Sequence, residues 1–228
     1  MISVILPAYN EEKNIGKAID KISDFFDKRG DLYEIIVIND GSKDKTAEVL
    51  ENYKKTRNII VVSHNKNQGY GSALVSGFKQ AQGGLIFFTD SDLQFDIKDI
   101  EIFLQKIKDY DFAIGCRKNR KDSFHRILNA KIFGLMSFIF FGVKVKDVDC
   151  AFKLFKSYVV KGENLISKGA LINLEILAKA KKRGYKFLEM PVNHFSRKEG
   201  KQTGGSFKVI LRALGNFFVL WGKIIFKK

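Results

Sequence analysis

The stretch Leu85-Ile86-Phe87-Phe88-Thr89-Asp90-Ser91-Asp92-Leu93-Gln94 decides the fold, because an apolar run ends in two carboxylates one residue apart. The run follows Gly83-Gly84 and is typical of a short buried strand. The segment after it, residues 96–108, is predicted to be a helix with an acidic first turn. Such carboxylates at a strand end indicate a divalent-cation site that faces a diphosphate; the alternative is a solvated acidic turn.

Apolar runs alternate with amphipathic helices along the chain, which predicts an α/β fold with a mostly parallel sheet and helices on both faces. Predicted strands cover residues 3–6, 34–38, 58–62, 85–88, 111–115, 147–155 and 185–192. Predicted helices cover residues 11–28, 45–55, 71–82, 96–108, 124–141 and 171–182. We expect one domain over residues 1–206, followed by a C-terminal amphipathic helix over residues 207–228.

The chain is strongly basic: its 228 residues include 40 Lys and Arg against 25 Asp and Glu, a formal net charge of +15. This excess favours anionic partners, meaning nucleic acid, anionic lipid or phosphorylated substrates. Cys116 and Cys150 are too few for a disulfide framework, which suits a reducing compartment, and both are expected to be buried free thiols. The first residues read as a strand rather than a signal peptide, and no uninterrupted apolar run reaches the roughly 20 residues of a spanning helix.

Polar side chains follow three of the predicted strands. Tyr9 and Glu11 follow the first, Asp40 the second, and Asp90 and Asp92 the fourth. Ligands of doubly wound sheets bind at the carboxyl ends of strands, so these side chains are expected to meet at one edge. Tyr9 could stack on a base that Glu11 or Asp40 also contacts. Each segment alone also fits a plain helix cap or turn, but their convergence predicts a nucleotide and metal site.

The Gly-rich segment at residues 67–73 does not fit the dinucleotide pattern GxGxxG with a following acidic ribose ligand, so a nicotinamide oxidoreductase is not indicated. Its sequence instead joins a set of motifs: PAYNE (7–11), NDGSKDKT (39–46), NQGYGSAL (67–74), TDSDLQ (89–94), GCRK (115–118), DVDCAFKLF (147–155) and RKEGKQTGG (197–205). In this order and spacing the chain resembles family 2 glycosyltransferases of the Rossmann-like GT-A fold. Within them it is most similar to the dolichyl-phosphate mannose synthase-like branch, which transfers a sugar to a polyprenyl phosphate. The resemblance covers about residues 2–207.

The resemblance implies an inverting transfer from a nucleotide sugar that depends on Mg²⁺ or Mn²⁺. It also implies roles for residues that match the motifs. Those implied to bind the nucleotide sugar are Pro7, Tyr9, Glu11, Ile38, Asp40, Asp90, Ser91, Arg117 and Arg197. Those implied for the metal are Asp90, Asp92 and Gln94, and those for the acceptor phosphate are Arg126, Arg197 and Lys201. The motifs depart from the family pattern at two places. NDGS replaces the commoner DDGS, and Thr203 stands where many of these enzymes carry lysine, with Lys201 as the nearest positive substitute.

We take Asp92, Arg117 and Asp149 as the catalytic candidates. Whether the reaction needs a general base depends on the acceptor. A phosphate monoester has a second pKa of about 6, so it is already an effective nucleophile at neutral pH. A hydroxyl acceptor would instead need a carboxylate base, for which Asp149 is the candidate and Asp147 the rival, unless both are structural. The three histidines are scattered, and a local hydrogen bond is expected for each.

The C-terminal segment combines apolar residues, Lys208, Arg212, Lys223 and one Trp, which suits a helix in a membrane interface; packing on the domain or in a dimer is the alternative. The main hypothesis is a peripheral enzyme on the cytosolic membrane face, in the cytoplasm, with a nucleotide sugar, a polyprenyl phosphate and an anionic membrane as partners and no nucleic acid. One alternative keeps the chemistry with a hydroxyl acceptor, and another is a non-enzymatic basic binding module. GDP-mannose, UDP-glucose and UDP-N-acetylglucosamine all fit, and the oligomeric state is open.

Overall fold

The computed structural model describes residues 1–118, 124–197, 199 and 207–225, except for the side chains of residues 124–126 and 207–214. A mixed sheet lies at the centre of these residues. Within them, seven strands form one sheet in the order β3-β2-β1-β4-β6-β5-β7. Only β6 runs antiparallel to its neighbours in this sheet. The strands are β1 Ile2–Ala8, β2 Tyr33–Asn39, β3 Ile59–Ser63, β4 Leu85–Thr89, β5 Phe112–Lys118, β6 Phe152–Lys156 and β7 Phe187–Asn193. The predicted α/β class is confirmed.

Helices cover both faces of the sheet, as predicted. They are α1 Ile15–Arg29, α2 Thr46–Thr56, α3 Tyr70–Gln80, α4 Ile100–Lys106, α5 Phe124–Phe141, α6 Ile172–Lys182 and α7 Phe207–Ile225. Successive strand residues point to opposite faces, so Phe87 joins the apolar cluster under α1 and α4, whereas Phe88 joins the cluster under α3 and α6. Burying each such side chain contributes about 1.5–3 kcal/mol, which is why these strands consist of near-continuous apolar runs.

Helix α1 begins at Ile15, four residues later than predicted. The amides of Asn14 and Ile15 both donate to the Glu11 carbonyl, at 3.0 and 2.9 Å, so the chain makes a turn before the helix. Asn10 has a positive φ of 56° and does not cap α1; its Oδ1 accepts a hydrogen bond from the Lys43 amide at 2.8 Å. Residues 9–14 therefore line the sheet edge as a loop that is tied to the loop after β2.

Strand β6 is shorter than the predicted strand over residues 147–155 and begins at Phe152. The segment before it is a turn, in which the Cys150 amide donates to the Asp147 carbonyl at 3.3 Å. The predicted helix over residues 96–108 is also divided, into a 3₁₀ turn at Ile97–Asp99, α4, and a second 3₁₀ turn at Ile107–Asp109. Both differences place polar turns, rather than regular elements, beside the end of β4.

Helices α5 and α7 pack on each other through aromatic side chains. Phe217, Leu220 and Ile224 are buried on one face of α7, and the Phe217 ring lies 5.1 Å from that of Phe141. Val219 is exposed on the opposite face, and Phe218 is half-exposed beside the Phe140 ring of α5. One face of α7 thus packs on the domain, and membrane contact by the other face stays a prediction. Within the described residues, none of the helices combines the length and apolar character that crossing a bilayer requires.

Candidate active site

The loops after β1, β2 and β4 meet at one edge of the sheet, because these three strands are parallel neighbours. The Asp40 amide donates to the Ala8 carbonyl at 2.9 Å, which joins the first two loops. The Ser91 hydroxyl donates to the Pro7 carbonyl at 2.9 Å, which joins the first to the third. The predicted meeting of these segments is therefore found, with Tyr9 partly buried among them.

Asp92, Glu11 and Arg197 form a charged group at this edge. The Arg197 guanidinium donates through Nη2 to Glu11 Oε1 in a short contact, and its Nη1 lies 3.6 Å from Asp92 Oδ2. The second oxygen of Glu11 accepts from Asn14 Nδ2 at 2.8 Å. All three charged side chains are largely buried, at 10–14% exposure, so these interactions are screened less by water than surface pairs. Arg197 thus lies over the acidic edge, and its contact with a nucleotide sugar or an acceptor phosphate stays a prediction.

Asp90 and Asp92 have the chemistry expected of cation ligands. Burial, together with the charge of Asp92, raises the pKa of Asp90 to about 7, and burial also raises the pKa of Asp92. The folded protein therefore leaves part of this negative charge uncompensated. Gln94 lies on the same turn, where its backbone N–H donates to Asp92 Oδ1 at 3.1 Å. Two carboxylates and an amide oxygen suit Mg²⁺ or Mn²⁺, so the donor set fits the predicted metal.

Such a cation would need further ligands from the substrate. Among the described residues, no three His, Cys, Asp or Glu side chains form a group that could hold a metal ion. Magnesium-type sites commonly use one or two carboxylates together with water and substrate phosphates, and they need no larger protein cage.

Asp40 is buried and holds the next loop. Its carboxylate accepts from the amides of Gln68 and Gly69, both at 2.8 Å, and lies 2.7 Å from His64 Nδ1. His64 Nε2 in turn lies 2.9 Å from the Ser76 hydroxyl, so the expected local role of His64 is confirmed. Contact of Asp40 with a nucleotide remains a prediction. Ile38, which the resemblance implied for nucleotide binding, is fully buried in the core, so its side chain supports the strand end.

The glycines of residues 67–73 make room for protein backbone. The amide of Gly71 donates to the Lys168 carbonyl at 2.8 Å, and a Cβ on Gly71 would lie 2.1 Å from the Ser167 carbonyl oxygen. The loop on the other side is fixed by buried Glu175, which accepts from the amide of Ser167 at 2.8 Å. This segment is therefore a packing surface at the start of α3.

Replacing Gly71 by alanine is expected to destabilise the protein by about 2–3 kcal/mol, because two backbone segments would have to separate. The matched control is Gly84→Ala, where an added Cβ meets nothing within 4 Å, and we expect a change below about 0.5 kcal/mol. Urea unfolding of both variants checks this. Equal midpoints would show that the close approach of residues 167–169 to α3 is not maintained in solution.

Arg117, at the end of β5, is held by Asp147. Its Nε and Nη2 each donate to one carboxylate oxygen of Asp147 at 2.7 Å, and the side chains are 11% and 5% exposed. A carboxylate that accepts a bidentate guanidinium is a poor proton acceptor, so Asp147 is disfavoured as a base and Asp149 is retained.

Both cysteines are free, but only Cys150 is buried; burial raises its pKa to about 12.

Lys153, which the sequence analysis did not single out, lies fully buried near this pair. Its Nζ donates to the Val148 carbonyl at 3.1 Å, to the Cys150 carbonyl in a short contact, and to Asn173 Oδ1 at 2.9 Å. A sequence signal existed: in Phe152-Lys153-Leu154-Phe155 the strand period places Lys153 on the same face as Phe155, among core residues.

Lys201 and the Arg126 side chain lie outside the described residues, so their acceptor roles stay predictions.

Comparison with known proteins agrees with this geometry. The sequence model described as Glycosyl transferase family 2 matches residues 3–162. An undecaprenyl-phosphate 4-deoxy-4-formamido-L-arabinose transferase of Edwardsiella ictaluri is 28% identical over 212 residues, covering 92% of this chain. A dolichyl-phosphate beta-glucosyltransferase of Trichomonas vaginalis is 32% identical over 210 residues, covering 84% of this chain. The aligned regions span 64% of the length of each of these curated relatives.

Solved structures share the fold at low sequence identity. Mannosyl-3-phosphoglycerate synthase from Rubrobacter xylanophilus superposes with a TM-score of 0.75 at 17% identity, covering 98% of this chain and 75% of that one. Glucosyl-3-phosphoglycerate synthase from Mycobacterium tuberculosis, solved with Mn²⁺, UDP and glucosyl-3-phosphoglycerate, gives a TM-score of 0.69 at 18% identity, covering 99% of this chain and 77% of that one. These likenesses establish the fold of the chain.

Proposed function

The chain belongs to glycosyl transferase family 2, and from that premise we propose that it transfers a sugar from a nucleotide sugar to a polyprenyl phosphate. The observation that carries the proposal is the buried acidic edge at Asp90 and Asp92, with Arg197 lying over it. The acceptor class is supported by relatives that act on undecaprenyl phosphate and dolichyl phosphate. We assign the transferase domain to residues 1–206.

On the donor side, Pro7, Tyr9, Glu11, Asp40 and Ser91 would form the nucleotide site, because they lie on the loops that meet at the sheet edge. Asp90, Asp92 and Gln94 would hold Mg²⁺ or Mn²⁺, which when bound neutralises the charge that develops on the leaving diphosphate. The glucosyl-3-phosphoglycerate synthase neighbour was solved with Mn²⁺ and UDP, which supports a divalent cation. Arg197 would move from Glu11 and Asp92 to the diphosphate.

On the acceptor side, Arg117 would orient the incoming phosphate. Its guanidinium is fixed by Asp147, so little side-chain freedom would be lost when it binds an anion. Arg126 and Lys201 would add positive charge. Because a phosphate monoester is mostly dianionic at neutral pH, cationic positioning would suffice and no strong base would be required.

A hydroxyl acceptor is the second candidate, and the bidentate Arg117–Asp147 pair favours Asp149 as its base. Radiolabelled sugar transfer into a lipid extract separates the two. Label in the organic phase supports the polyprenyl phosphate, whereas label confined to water-soluble product supports the hydroxyl acceptor.

We place the protein on the cytosolic face of the membrane, with α5 and the C-terminal segment 207–228, which contains α7, as the contacts. Both helices expose apolar side chains, among them Ile132, Leu135 and Ile139 on α5 and Phe218 and Val219 on α7. The net charge of +15 would add attraction to anionic lipid. A lipid acceptor also requires docking at a membrane, since its chain cannot leave the bilayer cheaply.

A thermal-shift screen of nucleotide sugars with and without Mn²⁺ tests the donor site. A ligand that binds only the folded state raises the melting temperature, so a GDP- or UDP-sugar should do so more strongly with Mn²⁺ than without it. Absence of any shift from all of these compounds with Mn²⁺ present would contradict the assigned site.

Binding of Mn²⁺ together with a nucleoside diphosphate is expected to weaken as pH falls. The pKa of Asp90 is raised to about 7, mainly by burial, and a protonated carboxyl is a poor ligand, so protons compete with the cation. For one proton, affinity should fall about tenfold between pH 8 and pH 6. Titration calorimetry at both pH values measures this, with the metal-free nucleotide as control. A constant affinity would contradict the assignment of a carboxyl group that titrates between pH 6 and pH 8 to the cation.

A further inference from the structure

We propose that Lys153 is a positioning residue for the acceptor side of the site, because its buried ammonium holds the backbone on both sides of Asp149. The inference rests on the proposed function, since it assumes that Arg117 and the segment Asp147–Cys150 face the reacting groups. Lys153 itself would touch neither donor nor acceptor, since it is fully buried.

The contacts of Lys153 match an ammonium. Nζ donates to the carbonyl oxygens of Val148 and Cys150, the first at 3.1 Å, and to Asn173 Oδ1 at 2.9 Å. Three acceptors use all three N–H bonds of the charged form. The two carbonyls belong to the residues that flank Asp149, so one side chain restrains both peptide groups around it. Asn173, on α6, is 3% exposed and anchors the ammonium to the helix layer.

The position of Lys153 in the sheet connects it with the rest of the site. Strand β6 lies between β4 and β5, and Lys153 is paired with Phe88 on one side and Ile114 on the other. Phe88 is two residues before Asp90, and its ring centroid lies 5.5 Å from the ammonium. Ile114 is three residues before Arg117. Lys153 is thus fixed against the two strands that lead to the acidic edge and to the guanidinium.

An apolar side chain would fill this space more cheaply, because a buried charge loses its hydration. What methionine could not do is donate hydrogen bonds to the Val148 and Cys150 carbonyls. The peptide groups of Val148 and Cys150 would then lose this restraint, and Asp149 and the Arg117–Asp147 pair would shift. The donor loops after β1, β2 and β4 make none of these contacts and would keep their geometry.

The test compares Lys153→Met with Lys156→Met on the same strand, whose ammonium lies 3.4 Å from Asp111 and is partly exposed. Transfer from GDP-mannose and UDP-glucose to undecaprenyl phosphate in detergent micelles gives kcat and KM, and calorimetry gives the affinity for GDP or UDP with Mn²⁺. We expect kcat of Lys153→Met to fall about 100-fold, the effect of a displacement near 1 Å, with nucleotide affinity within about threefold of wild type. Lys156→Met should keep wild-type kcat.

Equal kcat in the two variants would overturn the inference, as would a parallel loss of nucleotide affinity and kcat in Lys153→Met. If Lys153→Met does not fold, Asn173→Ala decides by the same criteria. If the wild-type protein transfers no sugar, the proposed function fails instead. Hydrogen exchange of the 147–152 amides then decides on Lys153: faster exchange than in Lys156→Met supports the restraint, and equal exchange overturns it.

Discussion

Replacing Asp92 by asparagine is expected to lower sugar transfer by about 10²- to 10³-fold and to raise the melting temperature of the ligand-free protein. The loss of activity follows because a neutral amide is a weaker ligand than a carboxylate for the cation that would neutralise the diphosphate. The gain in stability follows from burial, which raises the pKa values of both Asp90 and Asp92 and so disfavours their charged forms in the folded state. Removing one charge relieves the other.

The sign of the stability effect depends on pH. A pKa that is higher in the folded than in the unfolded state means that the folded protein binds more protons. The stability contributed by these carboxyl groups is therefore present at low pH and is lost as pH rises through about 7. We expect Asp92→Asn to stabilise by about 1 kcal/mol at pH 8, or about 2–4 °C, and by less at pH 5.

Calorimetry at both pH values and the transfer assay measure the two effects. The control is Asp109→Asn, which changes an exposed carboxylate in a 3₁₀ turn away from the site and should change neither quantity. A variant that melts below wild type at pH 8 and still transfers sugar would remove the argument for a cation at the end of β4.

Replacing Asp147 by asparagine is expected to destabilise the protein by about 3–5 kcal/mol, because Arg117 would remain buried without its bidentate carboxylate. For a domain of this size that is about 6–20 °C in melting temperature. Transfer should fall as well, since the guanidinium would lose its fixed orientation. A large loss of activity in Asp149→Asn would favour the hydroxyl acceptor.

Glu51→Gln is the matched control for the lost ion pair. Glu51 lies 3.2 Å from Lys54 on α2, with both side chains well exposed, and such pairs contribute about 0–1 kcal/mol. Denaturant unfolding of the variants compares the pairs directly. An Asp147→Asn protein as stable as Glu51→Gln would mean that Arg117 finds another arrangement and is not held for the acceptor.

The sheet and its acidic edge were predictable because the strands are long apolar runs. The period and length of such runs indicate buried parallel strands, and parallel neighbours place their carboxyl ends together, as the bonds of Asp40 and Ser91 to the end of β1 show. Helix α5 was predicted at the bounds that are found, Phe124–Phe141, since apolar residues recur along the whole segment and Gly134 stands alone within it. These features follow from local patterns of residue type.

Features that depend on distant partners were not predictable in the same way. The start of β6 at Phe152 reflects the Arg117–Asp147 pair, which joins residues 30 positions apart. The glycines of residues 67–73 are explained only by backbone from residues 167–169. Lys153 could have been noticed as a lysine in a core-facing strand position, but its acceptors are two carbonyls of a turn and an amide on α6.

The salt bridges of Arg197 give the acidic edge its own counter-ion. The guanidinium bonds to Glu11 and lies 3.6 Å from Asp92, so it screens the carboxylates that a divalent ion would contact. If the proposed function holds, loading the site would exchange one positive charge for another, and free metal alone would gain little. A diphosphate would take up the released arginine, so we expect metal and nucleotide to bind as a pair rather than in sequence.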